Sequence, residues 1–323
     1  ALGRIEAIAF DKTGTLTKGK PEVTDVVTID GYDRRRALEL AAAVEARSEH
    51  PLAEAVLAYT RGEGIEPPPA DDFQALIGHG ASARVDGSEV WVGSPELVAR
   101  RVAGATFPPE VERLQDEGKT VVFVGSGDQL HALLALRDEP RPEAARAIAE
   151  LRRLGIKHVS MLTGDNERTA RAIAAQLGLD AEYAELKPED KVAQIERLHE
   201  QYGSVAMVGD GINDAPALAT ADLGIAMGTG GTDAAIEAAD VALMADDITK
   251  VAEALRLGRR ATGISRQNLL FSVVLLAVLI PSAVAGLLTV VVAVAIHEVS
   301  ELLAVGNGVR AAQLPARVAA AGA

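Results

Sequence analysis

Short apolar runs recur along this chain, each ending in a polar turn and followed by a stretch with helical spacing. Residues 5–10 end at Asp11, 159–162 at Thr163-Gly164-Asp165, and 205–208 at Gly209-Asp210-Gly211. Further strands are expected at 223–227 and 241–244. A helix is expected over 142–154, with Pro142 at its start, Ala145, Ile148 and Leu151 on its apolar face, and Gly155 past its end. The next runs from about Glu167 to Leu177 and stops at Gly178. Strands alternating with helices predict a parallel sheet wrapped on both faces. The polar turns follow strand C-termini, where open sheets of this class bind ligands.

The pattern changes between residues 26 and 134. One helix carries Leu38, Leu40 and Val44, and after Pro51 a second carries Leu52, Val56 and Leu57. A proline-rich turn at 67–69 precedes short strands near 83–85, 90–92 and 121–124, with turns at Asp86-Gly87 and Gly125-Ser126-Gly127. This reads as a separate α+β domain inserted into the first. The tail differs again. Residues 269–296 carry no charge and are interrupted by Pro281-Ser282 and Gly286. One membrane span needs about 20 apolar residues. The stretch predicts a tight helical hairpin turning near Ala285-Gly286, its second helix continuing through His297 to about Val305. Arg259, Arg260 and Arg266 precede it, and Arg310 and Arg317 follow it, which places both ends in the cytoplasm. The expected boundaries are 1–25 and 135–262 for the α/β domain, 26–134 for the insertion, 266–310 for the hairpin and 311–323 for a cytoplasmic tail.

Composition narrows the function classes. The net charge of -14 argues against nucleic acid as a partner. The absence of Cys excludes disulfides and thiolate metal sites within the chain. With aromatics at 3%, the core must be built from small aliphatic side chains. The chain has no initiator Met and opens directly on a strand, so a fragment of a longer polypeptide is expected.

The densest chemistry is in Phe10-Asp11-Lys12-Thr13-Gly14-Thr15-Leu16-Thr17. A carboxylate at a strand end can attack phosphorus and become an acyl phosphate. This string resembles the phosphorylation signature of P-type ATPases, the ion pumps that pass through a phosphoaspartate. Thr163-Gly164-Asp165, Lys187-Pro188-Glu189-Asp190-Lys191 and Gly209-Asp210-Gly211-Ile212-Asn213-Asp214 follow in the order found in haloacid-dehalogenase-like phosphotransferases. With Asp138-Glu139-Pro140-Arg141-Pro142 they resemble the P-type ATPase phosphorylation domain. The resemblance implies a Rossmannoid α/β phosphorylation domain with an inserted nucleotide-binding domain and a transmembrane hairpin. Asp11 would be the nucleophile, ionised at neutral pH. Mg²⁺ would be held by Asp11, Asp210 and the Thr13 carbonyl, with Asp214 beside it. Thr163 and Gly164 would donate to phosphoryl oxygens, Lys191 would neutralise developing charge, and Asn213 belongs to the same string. Phosphatases of this superfamily place a second Asp two residues after the nucleophile. Here that position is Thr13, and a missing acid/base group lets a phosphoenzyme persist.

Ser48-Glu49-His50-Pro51-Leu52 looks like the adenine-contacting element of heavy-metal P-type ATPases, with Glu49 and His50 as the contacts. Gly78-His79-Gly80 and Gly93 match glycines of that nucleotide domain. No Walker-type loop is present. Near the end of the apolar tail, His297, Glu298 and Glu301 form an ionisable cluster, and such clusters inside a membrane are functional by default. Imidazole plus carboxylate suits Zn²⁺, Co²⁺, Fe²⁺ or Ni²⁺ and disfavours Cu(I). This helix is similar to the last one of the cobalt/zinc branch, although His-Glu-Val-Ser-Glu departs from that branch's His-Glu-Gly pattern. The resemblance covers the back half of such a pump, without the actuator domain and the earlier, N-terminal transmembrane helices. It implies ATP, Mg²⁺, a transported divalent metal and membrane lipid as partners. The expected activity is ATP-driven export of Co, Zn, Fe or Ni across the cell membrane. A membrane-tethered phosphatase and a nucleotide- or metal-binding regulatory subunit are the alternatives.

Overall fold

The structure, a computed structural model, describes residues 2–311 apart from 49, 77, 211–213, 229–232 and 245. The chain divides into two compact units, Glu6–Thr249 and a second that joins the residues before Glu6 to those from Lys250 onward.

In the larger unit, β1 (Ala7–Asp11) leads into a tight turn over Lys12–Leu16. There follow β2 (Glu22–Thr28), α1 (Arg34–Glu45), α2 (Pro51–Gly62), β3 (Asp71–Leu76), β4 (Gly80–Val85), β5 (Ser88–Gly93), α3 (Pro95–Arg101), α4 (Glu110–Asp116), β6 (Thr120–Ser126) and β7 (Gln129–Arg137). Strands and helices then alternate: α5 (Ala144–Arg153), β8 (His158–Leu162), α6 (Glu167–Leu177), β9 (Ala181–Tyr183), α7 (Pro188–Tyr202), β10 (Val205–Gly209), α8 (Ala215–Thr220), β11 (Leu223–Met227), α9 (Asp233–Ala238) and β12 (Val241–Leu243).

The first sheet is parallel, in the order β12-β11-β10-β1-β8-β9. Strand β1 lies inside it, with Ala7 opposite Val205 on one side and His158 on the other. Helices cover both faces of such a sheet, so β1, β8, β10 and β11 are buried along their whole length and read as continuous apolar runs. The chain builds outward from β1 to β8 and β9, then returns to its other side with β10. This reversal puts the carboxyl ends of β1, β8 and β10 around one crevice.

The second sheet is antiparallel, in the order β2-β7-β6-β5-β4-β3. One face packs Val85, Val92, Val124 and Leu134 against Leu38 and Val44 of α1 and Val56 of α2. The other packs Trp91, Phe123 and Leu133 against Leu97 and Val98 of α3 and Leu114 of α4. The sheet takes in Glu22 to Asp25 and Ala135 to Arg137, and so reaches beyond the 26–134 span.

The second unit contains α10 (Thr249–Val284) and α11 (Val290–Val309), both long and apolar enough to cross a membrane. Their apolar side chains, such as Leu269, Val284, Val290 and Val291, are exposed. Helix α10 passes without a break through 262–266, where a domain boundary was expected, and tolerates Pro281 inside it. The reversal at 285–289 falls where the sequence predicts it, and the Thr289 hydroxyl accepts from the Val292 amide. Asn268 ties the hairpin together. Its amide donates to the Ala304 carbonyl (3.0 Å) and its oxygen accepts from Asn307 Nδ2 (2.8 Å).

Candidate active site

Asp11 is the last residue of β1, and the chain must turn sharply to clear the crevice. Gly14 makes that turn with φ +74, and a Cβ there would sit 1.6 Å from Asp210 Oδ2. Only glycine lets the turn close onto the aspartate that follows β10. Asp214, at the entry to α8, is buried behind them. Lys191 comes from the opposite side, in the first turns of α7. Pro188 opens that helix and Asp190 accepts from the Lys187 amide (3.0 Å), which fixes its start. Lys191 is 7% exposed and donates to Asp11 Oδ1 (2.6 Å) and Asp214 Oδ1 (2.7 Å). It is therefore a buried counter-ion of the nucleophile.

Burial pushes the Asp11 carboxyl up to about 7, helped by the charge of Asp214 and opposed by Lys191. A dry setting beside Asp214 and Asp210 resists ionisation of Asp11, and the Lys191 ammonium favours it. Burial also raises Asp210 to about 6, again with Asp214, while Arg141 and Lys191 pull it back. Burial acts to lower Lys191, and the charges of Asp11 and Asp214 more than reverse it. The three aspartates offer oxygens that all lie within 4.8 Å of one another. Among the described residues, no cationic side chain bonds to Asp210. Buried hard oxygen donors short of positive charge suit Mg²⁺.

The loop after β8 closes the other side. The Thr163 amide is taken by the Tyr183 carbonyl (2.9 Å), and its hydroxyl accepts from the Asp165 amide (3.1 Å). That leaves the hydroxyl proton free to donate outward. Gly164 follows in the same loop. Lys12 is buried and ion-paired with Asp165 (2.5 Å), tying this loop to the turn after Asp11. Thr13 is exposed, and Asn213 lies outside the described residues.

In the antiparallel part, His50 caps α2: its Nδ1 accepts from the Leu52 amide (3.2 Å), leaving Nε2 for a ligand. Burial pushes this imidazole below the usual histidine range, and the charge of Asp165 opposes that. Glu49 lies outside the described residues. Gly78 has open space around it. Gly80 and Gly93 are paired across β4 and β5, and a Cβ on Gly80 would lie 2.1 Å from the Val92 carbonyl. These two glycines thus serve close backbone packing as well as any approach of a nucleotide. Glu45, at the end of α1, is a buried carboxyl that the sequence reading did not single out. It is 8% exposed, and burial lifts its carboxyl to about 7 against a hydrogen bond from Ser48. The signal was present: Glu45 continues the apolar stripe of Leu38, Ala41 and Ala42.

In α11, His297 Nε2 lies 3.3 Å from Glu301 Oε1. Glu298 takes no part in that pair, and all three side chains are exposed. The structure joins His297 to Glu301 but does not converge the three. Among the described residues, Asp11, Asp210 and Asp214 are the group of three acidic or imidazole side chains close enough to share an ion.

A family model described as haloacid dehalogenase-like hydrolase matches residues 5–222, the stretch that contains every phosphate-handling residue above. The chain belongs to the haloacid dehalogenase-like hydrolases. Within that family, its relatives are heavy-metal-transporting P-type ATPases. It is 42% identical over 309 residues to a zinc-transporting ATPase of Bacillus subtilis, covering 96% of this chain and 48% of the relative. Against a manganese-exporting P-type ATPase of Mycobacterium tuberculosis, identity is 42% over 311 residues, covering 95% and 43%. The crystal structure of a zinc-transporting PIB-type ATPase in the E2.Pi state superposes with a TM-score of 0.68 at 38% identity, over 97% of this chain and 50% of that one. The chain spans about half the length of the curated relatives it matches.

Proposed function

We propose that this chain is the catalytic portion of a P-type ATPase that exports a divalent transition metal. The observation that carries the reading is Asp11 held by buried Lys191 beside Asp210 and Asp214, with no acid/base group at position 13. The parallel sheet with α5 to α9 would form the phosphorylation domain, Glu22–Arg137 the nucleotide domain, and α10 and α11 two spans of a multi-pass membrane protein with the catalytic domains in the cytoplasm.

ATP would lie along the second sheet near His50, Gly78, Gly80 and Gly93. Its γ-phosphate would reach the crevice at Asp11. A carboxylate oxygen of Asp11 forms a bond to the γ-phosphorus as the bond from phosphorus to the bridging oxygen of ADP breaks. Lys191 holds that carboxylate in line and offsets the charge gathered on the phosphoryl oxygens, and the Thr163 hydroxyl donates to one of them. Asp11, Asp210 and the Thr13 carbonyl would hold Mg²⁺, which supplies charge neutralisation between two anions. Thr13 offers no base to activate water, so the acyl phosphate lasts long enough to drive transport.

For the cargo, His297 and Glu301 form a nitrogen–oxygen pair and Glu298 is one residue away. This donor set suits zinc, cobalt, iron or nickel, and relatives named for zinc and manganese transport support a divalent ion over Cu(I). The test is labelling with γ-phosphate-labelled ATP and Mg²⁺, followed by acid quench and hydroxylamine. An acid-stable, hydroxylamine-sensitive label that Asp11→Asn removes is expected. Label retained in Asp11→Asn would sink the assignment.

A further inference from the structure

Arg141 lies in the segment that follows β7, and its guanidinium is aimed at the turn that follows Asp11. It is 7% exposed. Nε donates to the Thr15 carbonyl (3.0 Å) and Nη2 to the Gly14 carbonyl (2.7 Å). The far side of the fork meets Asp246, with Nη2 on Oδ1 (2.6 Å) and Nη1 on the main-chain carbonyl (3.2 Å). Its own amide donates to the Leu16 carbonyl (2.9 Å). One residue thus takes three successive carbonyls of the turn, from Gly14 to Leu16. The same turn carries the Thr13 carbonyl and presses Gly14 against Asp210. Asp246 is 58% exposed at its side chain, so most of the anchoring comes from the buried carbonyls.

From this geometry we infer that Arg141 is a positioning residue: its guanidinium fork sets the turn after Asp11 so that the Thr13 carbonyl and the Asp210 carboxylate face one cation. The inference rests on the proposed Mg²⁺ site and adds to it the part that builds it. The shape of the fork matters beyond its charge. A planar guanidinium can hold two adjacent carbonyls at fixed angles, whereas an ammonium is a point donor on a flexible stem. A lysine at 141 keeps a positive charge near Asp210 and loses the fixed spacing. The turn would then sample positions in which Asp210 no longer meets it.

The experiment is Mn²⁺ binding to the full chain without nucleotide, read from the electron paramagnetic resonance of free Mn²⁺. It compares wild type, Arg141→Lys, Arg141→Ala and Asp210→Asn, with ATP affinity measured separately in EDTA. Wild type should bind one Mn²⁺ that Asp210→Asn loses. Arg141→Lys and Arg141→Ala should each weaken Mn²⁺ at least tenfold while ATP affinity stays within twofold. Arg141→Lys with wild-type Mn²⁺ affinity overturns the inference, since charge alone would then suffice. Mn²⁺ and ATP affinity falling together in both variants also overturns it, because Arg141 would then be supporting the fold at large. Wild type without an Asp210-dependent Mn²⁺ overturns the proposed Mg²⁺ site itself, and this inference with it, and that result is distinct from the other two.

Discussion

Glu45 offers the sharpest test of the energetics. Its carboxyl is buried at the end of α1 and lifted from 4.5 to about 7, chiefly by loss of water. Between those two values the native state binds a proton that the unfolded chain has released. Stability therefore falls as pH rises from about 4.5 through about 7, and is fully lowered above that. At 1.36 kcal/mol per pH unit the loss amounts to about 3 kcal/mol as a ceiling. Replacing Glu45 by Gln removes the titration, so the variant should gain on wild type as pH rises. The difference between pH 4.5 and pH 8.5 isolates this effect from any change in packing by the amide. For a unit of this size it corresponds to roughly 6–12 °C in Tm at most. The assay is thermal unfolding of both proteins in detergent across that range. Parallel curves for the two proteins would refute the reasoning.

Other outcomes follow from the same geometry. Lys191→Ala leaves Asp11 and Asp214 buried without their shared cation, so it should cost about 3–5 kcal/mol and abolish phosphorylation; unfolding midpoints and ATP labelling check both. Gly80→Ala drives a methyl into the Val92 carbonyl and also strains a φ of +141, so it should destabilise by about 2–5 kcal/mol, whereas Gly78→Ala meets open space and should cost only about 1–2 kcal/mol from its φ of +75; a larger thermal shift is expected for Gly80→Ala. Thr13→Asp restores a carboxylate two residues after the nucleophile on an exposed side chain, and should shorten the lifetime of the phosphoenzyme in a cold-chase experiment. Asn268→Ala should loosen the α10–α11 hairpin by about 0.6–1.7 kcal/mol, readable as faster hydrogen exchange near Ala304.

The parallel sheet was legible because its strands are covered on both faces and so write themselves as apolar runs. Strand β9 was not: Ala181-Glu182-Tyr183 has no pattern of its own and exists by pairing with β8. Strands β2 and β3 escaped for a related reason. They lie at the edges of the antiparallel sheet, carry Asp and Glu on exposed faces, and pair with irregular register. In the site, Asp11, Lys191, Asp210 and Asp214 could be named because their strings resemble those of a known family; the apolar pattern marked the strand ends before Asp11 and Asp210 but not the helices that carry Lys191 and Asp214. The mutual burial that pushes Asp11 up could not, since it depends on how closely Asp214 and Lys191 pack. Arg141 carried no role in the sequence because its partners at Gly14 and Thr15 are more than a hundred residues away. Glu45 belongs to no motif, and only its place on the apolar face of α1 marks it.

The place of β1 in its sheet also bears on how the protein is made. The strand that ends in Asp11 is synthesised well before its two neighbours, which begin at His158 and Val205. At a ribosomal pace of about 5–20 residues per second, the second neighbour arrives roughly 10–40 s later. Until β8 arrives Ala7-Ile8-Ala9-Phe10 has no partner, and until β10 arrives it has only one, while every strand of the inserted antiparallel sheet is present once β7 has emerged. The insertion thus folds while the strand that anchors the nucleophile still waits. Chaperone capture and misassembly of the nascent chain should concentrate in that interval, and substitutions that slow β10 should reduce yield more than they reduce the stability of the finished protein.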